Sequence, residues 1–583
     1  MITNKHISKI VAAVTALAVA ACFLSIIFSD RLSEAFGGTG VNMEYESRLF
    51  DTDEIISVNI IMDQDDWDKM LANATSEEYY ACNVVINGET FRNVGIRPKG
   101  NTSLSSIAMN PDSDRYSLKL EFGHFVEGQT CHGLDKLILN NNYADATNMK
   151  EAIIYDMFQY LGAEASLYNY ASVSVNGEYY GVYLALEAVE QSFMLRNFGT
   201  QDGELYKPDS MEMGGGNKDG DTAKPSGDSN GFGNFDPSNM PARDDTEKED
   251  KTGSSSGERT SRPDVGGGFG GGFSRGGGGS NLNYTDDELD SYSTIWNSAL
   301  TGTSKADRRR VVTALKNISE GNDLETYLDV DNVLKYMAVH TFSVNMDSLS
   351  GNMSHNYYLY EYKGQLNILP WDYNLCLGGM SMGSSGNASE TINDAIDTPF
   401  SATHFFDALL ENEEYLARYH EYLQQLVDEY VNGGRFEEVY NRIRTQIDSL
   451  VETDPTAFYK YDEYDAAAKM LYQTIMLRAE SIRGQLAGTI PSTDEGQRKD
   501  SSTLVDSSSI DLKVMGEFNM GGNFGSFKVR GDKNKRGRSD SDSESTSESE
   551  NNPANNDSEG AGDASEPSDT SDESGFPNFP GSS

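Results

Sequence analysis

Asp372 ends the apolar run Ile368-Leu369-Pro370-Trp371, and Gly378-Gly379 follows a few residues on. An acid carried by a strand to the edge of a glycine-rich turn is a suitable ligand for a hard divalent cation. Upstream, Asp347 in Val344-Asn345-Met346-Asp347-Ser348 closes a helix-like run and opens a polar loop. That is where a carboxylate can orient or deprotonate a hydroxyl. Asn352 stands five residues after Asp347, and Asn356 follows in His355-Asn356-Tyr357. Either amide suits a second metal-binding position. Lys119 lies in the alternating run Tyr116-Ser117-Leu118-Lys119-Leu120-Glu121-Phe122. A strand lysine there can reach phosphates, and Glu151, early in NMKEAIIYDMF, is its natural carboxylate partner. Arg97, Lys99 and Asn101, in Arg97-Pro98-Lys99-Gly100-Asn101-Thr102-Ser103, suit a turn that covers phosphates, although the segment is neither GxGxxG nor a Walker A loop. A metal on carboxylates, a cation on phosphates and a group on the attacking hydroxyl are the parts phosphoryl transfer needs. Each residue also has a plainer role. An aspartate ending a strand often caps a turn, and a lysine on an edge strand often points to solvent.

The elements that must position these residues follow from local pattern. Ser57–Met62 reads as a strand, and Asp63 N-caps the short helix after it. That acid cluster is not an EF-hand, because the sixth-position glycine and twelfth-position glutamate are missing. Residues 80–122 read as a meander with a turn at Asn87-Gly88, and Asn176-Gly177 marks a second hairpin. Asn148–Leu161 has helical periodicity with Gly162 as C-cap, and a further helix is expected from Glu187 to about Asn197. The fold class expected is α+β, with a strand-rich first part and a helical second part.

Composition divides the 583 residues into five parts. An apolar run from Ile10 to Phe28, with Lys5 and Lys9 before it, makes 1–30 an anchor or signal segment. An uncleaved single-pass anchor is expected, with the bulk of the chain exported. A cleaved signal peptide and a lipidated Cys22 are the alternatives. Residues 45–208 form the strand-rich part and 283–490 the helical part. Between them, 209–282 is rich in Gly, Asp and Ser and cannot bury enough apolar surface to order itself. The same holds for the acidic, serine-rich tail from 491 to 583. The formal charge of -46 excludes a nucleic-acid groove and favours basic partners and divalent cations. Three cysteines, Cys82, Cys131 and Cys376, are widely spaced and read as buried thiols, with a Cys82–Cys131 bridge the alternative.

Six stretches, VGIRPKGNTS, NMKEAIIYDMFQYLGAEAS, SVNGEYYGVYLALEAVEQSFMLRNFG, GELYKPDS, LDVDNVLKYMAVHTFSVNMDSLSGNMSHNYYLY and LNILPWDYNLCLGG, together resemble the spore-coat CotH kinase-like family. The likeness runs from about residue 55 to 490, outside the glycine-rich insert. It implies a two-lobed, protein-kinase-like fold that uses ATP and Mg2+ or Mn2+. It implies Ser/Thr-rich, basic coat or surface proteins as substrates. By the resemblance Asp347 is the catalytic-loop aspartate, Asp372 the metal-binding aspartate, and Lys119 with Glu151 the phosphate lysine and its partner. Extra residues separate Asp347 from the His-Asn pair, which leaves Asn352 and Asn356 both open, with Asn356 preferred on its motif. The chain's own tail, with Ser539, Ser541, Ser543 and Ser545 after a basic cluster, is a further candidate substrate, the plainer reading being a solvating acidic tail. Three rivals remain: a non-catalytic coat-assembly module, AMP transfer on the same fold, and a metal-dependent hydrolase. The last lacks a histidine cluster, because His340 and His355 are isolated by spacing.

Overall fold

A computed structural model describes residues 40–208, 277–351, 353–381 and 387–519. Strands β1 (Ile56–Ile61), β2 (Tyr80–Ile86), β3 (Glu89–Lys99), β4 (Ser117–Glu121), β5 (Lys136–Asn140), β6 (Tyr168–Val175) and β7 (Glu178–Glu187) form a closed barrel in the order β1-β2-β3-β4-β5-β7-β6. Both Asn-Gly turns fall where the sequence places them, with Asn87 and Asn176 at positive φ. Closure comes from β1, which pairs antiparallel with β2 and parallel with β6, from Ile56↔Ala171 to Ile60↔Val175.

This closure corrects the expected architecture. The α+β class stands, but the strand-rich half is a seven-stranded barrel and not the sheet of a two-lobed, protein-kinase-like fold. The contact that closes it joins residues more than a hundred positions apart, and no local pattern announces such a pairing. Alternation within the strands fills the barrel. Val58, Ile60, Val84, Val94, Ile96, Leu118, Leu120, Leu137 and Leu139 point inward and are buried.

Two helices that are buried on nearly every side join the barrel to the rest. Helix α1 (Lys150–Tyr160) buries nine residues, and α2 (Val330–Ser343) buries twelve. A helix apolar all round belongs in a core, not at a surface. Both sit in one apolar cluster with α3 (Arg435–Glu452) and α4 (Tyr461–Leu486). A second sheet, β10 (Gln365–Pro370), β9 (Tyr357–Tyr362) and β8 (Glu204–Tyr206), pairs the strand before the glycine-rich stretch with strands far beyond it. β7 runs through Glu187, so the helix expected to start there begins at Gln191 and ends at Phe198.

Residues 491–519, assigned to the tail by composition, include a helix, Asp494–Lys499, and a 3-10 turn, Leu512–Met515. They end in β12 (Phe518–Asn519), paired with β11 (Met380–Ser381). Cys82, Cys131 and Cys376 are buried free thiols, and burial pushes Cys82 and Cys131 up to about 12. The run Ile10–Phe28 and Cys22 lie outside the described residues, as do residues 209–276 and 520–583. Among the described residues no helix is long and apolar enough to cross a membrane.

Candidate functional site

α2 stops at Val344, whose φ of 47° turns the chain out of the helix and into the loop that carries Asp347. His340, in the last turn of α2, is the post on which that loop is hung. Its Nδ1 meets the Tyr373 hydroxyl at 2.9 Å and its Nε2 meets Ser350 Oγ at 2.8 Å. Ser348 and Ser350 both donate to the Asn345 carbonyl, at 2.6 and 3.0 Å. Burial holds His340 neutral, pushing its pKa down to about 3. It is therefore a structural histidine beneath the loop.

Asp347 is 8% exposed. His355 Nε2 lies 2.6 Å from its Oδ1, and Asn356 donates to its main-chain oxygen at 2.7 Å and to Oδ2 at 3.1 Å. The carboxylate is thus held from both sides. Across the loop, β10 delivers Asp372 in the left-handed region, φ 61°. A non-glycine residue in that conformation is uncommon and clusters at functional sites. Burial raises the Asp372 carboxyl, Lys99 opposes this, and Asp347 raises it further.

Glu151, in the first turn of α1, accepts from Asn140 at 2.6 Å and from the Tyr373 amide at 3.3 Å. Burial, then the Asp372 charge, push it up to about 8, against the pull of Lys99. Lys99 ends β3 with its ammonium 5.3 Å from the Trp371 ring centroid. Burial lowers its pKa, and the attraction of Asp372 works against that.

Register explains why these side chains meet. Arg97 faces Lys119, and Lys99 faces Ser117, across the β3–β4 pair; Lys119 faces Ile138 across β4–β5. Residues directly opposite, or two apart on one strand, share a face. The outer face of the barrel wall therefore presents all of them, while the inner face carries the barrel core. This outer face lines a cavity of about 470 Å3, closed on its far side by Asp347, His355, Asn356, Tyr358, Trp371 and Asp372.

Of the residues singled out in the sequence, Arg97, Lys99, Asn101, Lys119, Asp347, Asn356 and Asp372 line this cavity. Glu151 stands behind it, bonded to the cavity-lining Asn140. Asn352 lies outside the described residues. One pairing differs from expectation. Lys119 forms its ion pair with Glu190 at 2.8 Å, not with Glu151. Arg97 pairs with Glu77 at 3.0 Å and lies over the Tyr79 ring. Glu190, which also holds Lys136, was not foreseen, since it lies in the connection after β7. His355, isolated by spacing in the sequence, touches Asp347 in the fold, and its adjacency to Asn356 is the local signal for it. Lys207, in GELYKPDS, also lines the cavity.

The donors near Asp372 are carboxylate and amide oxygens, which suit Mg2+ or Mn2+. Among the described residues no group of three His, Cys, Asp or Glu could hold a metal by itself. Two neighbouring carboxylates, one raised by the charge of the other, are the arrangement a divalent cation relieves. Mg2+ sites usually take only one or two carboxylates and complete the shell with phosphate and water.

A family model described as CotH kinase protein matches residues 96–263 and 273–482, more than half of the chain. Inner spore coat protein H of Bacillus subtilis (strain 168) is 22% identical over 370 residues, which span 62% of this chain and 82% of that protein.

Proposed function

The chain belongs to the CotH kinase family, and from that premise we propose that it transfers the γ-phosphate of ATP to Ser or Thr hydroxyls of a spore-coat or surface protein. The observation that carries this reading is the convergence of Asp347, Asp372, Asn356 and Lys99 on one cavity, with Glu151 behind them. In the proposed reaction the substrate hydroxyl oxygen bonds to the γ-phosphorus. The bond to the β-phosphate bridging oxygen breaks, and ADP leaves with that electron pair. Asp347 takes the hydroxyl proton, and His355 and Asn356 keep its carboxylate aimed. Lys99 meets the phosphates on one flank of the nucleotide; burial lowers its pKa, and Asp372 and then Glu151 oppose that shift. Asp372, with Asn356 and Asn352 as amide candidates, would hold Mg2+ or Mn2+, which when bound supplies positive charge to the phosphate oxygens.

The net charge of -46 supports a basic, Ser/Thr-rich substrate. The name of the Bacillus relative supports a place in the spore coat or at a surface. That name also supports a second reading, a coat-assembly module that retains the site without turnover.

One assay separates them. The protein is incubated with ATP labelled at either the α or the γ phosphate, with Mg2+ or Mn2+ and a basic Ser-rich peptide, beside an Asp372→Ala control. Transfer of γ label that vanishes in the control is expected. Transfer of α label would replace phosphoryl by AMP transfer. No transfer and no metal-dependent nucleotide binding would leave the assembly reading.

A further inference from the structure

Lys207 is a cation of the cavity that the proposed reaction does not use. Its backbone is fixed, because its amide donates to the Ser298 carbonyl at 3.0 Å. Its side chain is free of that duty. The ammonium lies 5.6 Å from the Tyr358 ring centroid and 5.7 Å from that of Trp371. Lys99 lies 5.3 Å from the same Trp371 ring. Tyr358 meets Trp371 edge-on at 5.5 Å, so the two rings form one braced aromatic corner carrying both ammoniums. Neither lysine makes an ion pair within 4 Å among the described residues. Both line the cavity beside Asp372.

Two like charges on one indole repel each other; Lys207 and Arg97 both act against the Lys99 ammonium. Asp372 attracts both lysines and Glu151 also attracts Lys99, but among the described residues neither carboxylate is in hydrogen-bond contact with them. Cation–π contact holds an ammonium in place while leaving its N–H donors unspent. A pair of such cations, a ring apart and hydrogen-bonded to no carboxylate among the described residues, is matched by an anion that carries charge at more than one point.

We propose that Lys99 and Lys207, seated on the Trp371–Tyr358 corner, form a two-point clamp for a polyphosphate chain of at least two phosphates. This rests on the reading of the cavity as a nucleotide site and adds to it a length rule. The site selects the polyphosphate and not the nucleoside, so AMP gains little from the clamp and ATP gains most. Lys207 is here a ligand-binding residue, and Trp371 a positioning residue that sets the spacing of the two cations.

The test is calorimetric titration of the full chain, at fixed Mg2+, with ATP, AMP and sodium tripolyphosphate. Lys207→Met keeps the aliphatic stem on the indole and removes the charge; Lys207→Arg restores a cation. Loss of about tenfold or more in affinity for ATP and tripolyphosphate is expected in Lys207→Met, with AMP unchanged and Lys207→Arg close to wild type. If Lys207→Met does not fold, judged by circular dichroism, Lys207→Gln carries the same comparison. Unchanged ATP affinity in the neutral variant overturns the clamp and leaves the kinase reading standing. Equal loss of AMP and ATP also overturns it. Wild-type binding of tripolyphosphate without ATP keeps the clamp and removes the ATP-dependent reading. Binding of neither removes both.

Discussion

The residues of the candidate site divide by what burial does to them. His340 is buried and neutral, with a pKa lowered from 6.5 to about 3. A base whose folded pKa is depressed binds fewer protons folded than unfolded, so stability rises with pH across that window. Acidification from pH 6.5 towards 3 should therefore cost the fold on the order of a few kcal/mol through this one residue. The loop that carries Asp347 should loosen with it, because His340 holds Ser350. Thermal melts from pH 7 to pH 4, wild type beside His340→Gln, check this; a pH slope equally steep in the variant would place the effect elsewhere. Asp347 and His355 differ in kind from His340, since they face the cavity. Asp347→Asn should lower kcat by about 10²–10⁴ with the melting temperature nearly kept, as expected for a general base. His355→Ala removes one hydrogen bond to that base and should cost about tenfold. A single-turnover assay on both variants tests the ranking, and a larger loss from His355 would reverse the assigned roles.

At the scale of elements, geometry of the loop between α2 and β9 is tight enough to be probed by one methyl group. A Cβ on Gly351 would lie 1.8 Å from the Met346 carbonyl oxygen, which is backbone and has nowhere to go. Gly351→Ala should therefore open the loop at the residue next to Asp347, costing about 1–3 kcal/mol and most of the activity. A Cβ on Gly302 would meet nothing within 4 Å, so Gly302→Ala should stay within about 0.5 kcal/mol of wild type. Urea titrations of the two alanine variants give the contrast directly. The same scale explains what could be read in advance. Hairpins at Asn87-Gly88 and Asn176-Gly177 are encoded by residues in contact along the chain, and they form where expected. Asp63 caps its helix through Asp65 for the same reason. Barrel closure by β1 and β6 depends on register between distant strands, and composition carries no trace of it. The Lys119–Glu151 pairing failed on similar grounds. The β3–β4 register sets Lys119 beside Arg97, within reach of Glu190, and brings Lys99, at the end of β3, towards Glu151 and Asp372. The candidate acids were legible because an acid at the end of an apolar strand or helix is a local pattern. Their cationic partners were not, because a choice among three strand cations is made by register.

Across the whole molecule, the segment after Ile490 has more to do than its composition implies. Ile510, Leu512, Met515 and Phe518 are apolar anchors spaced through polar sequence, too sparse to register as a core yet all buried. Asn393 fixes the approach, accepting from the Val505 amide at 2.9 Å and donating to its carbonyl at 3.1 Å. The Met515 carbonyl then accepts from Ala146, beside α1, and the Phe518 amide donates to Gly379, beside Asp372's strand exit. Gly516 permits the approach, since a Cβ there would meet the Ala144 carbonyl at 2.5 Å. One strand of chain thereby ties the barrel side of the cavity to the loop after Asp372, and Phe518 itself lines that cavity. Fully burying Leu512 and Met515 is worth about 1.5–3 kcal/mol each. A stop after Ser502 removes both, with Phe518 and the β11–β12 pairing, and should lower stability by several kcal/mol and abolish transfer. A stop after Asn519 retains every one of these contacts and should leave the melting temperature and nucleotide affinity unchanged. Two truncations that behaved alike, both as wild type or both unfolded, would deny the strap its role. The expected difference between them would show that residues 503–519 stabilise the folded chain and complete the wall of the cavity, although composition alone assigns them to a solvated tail.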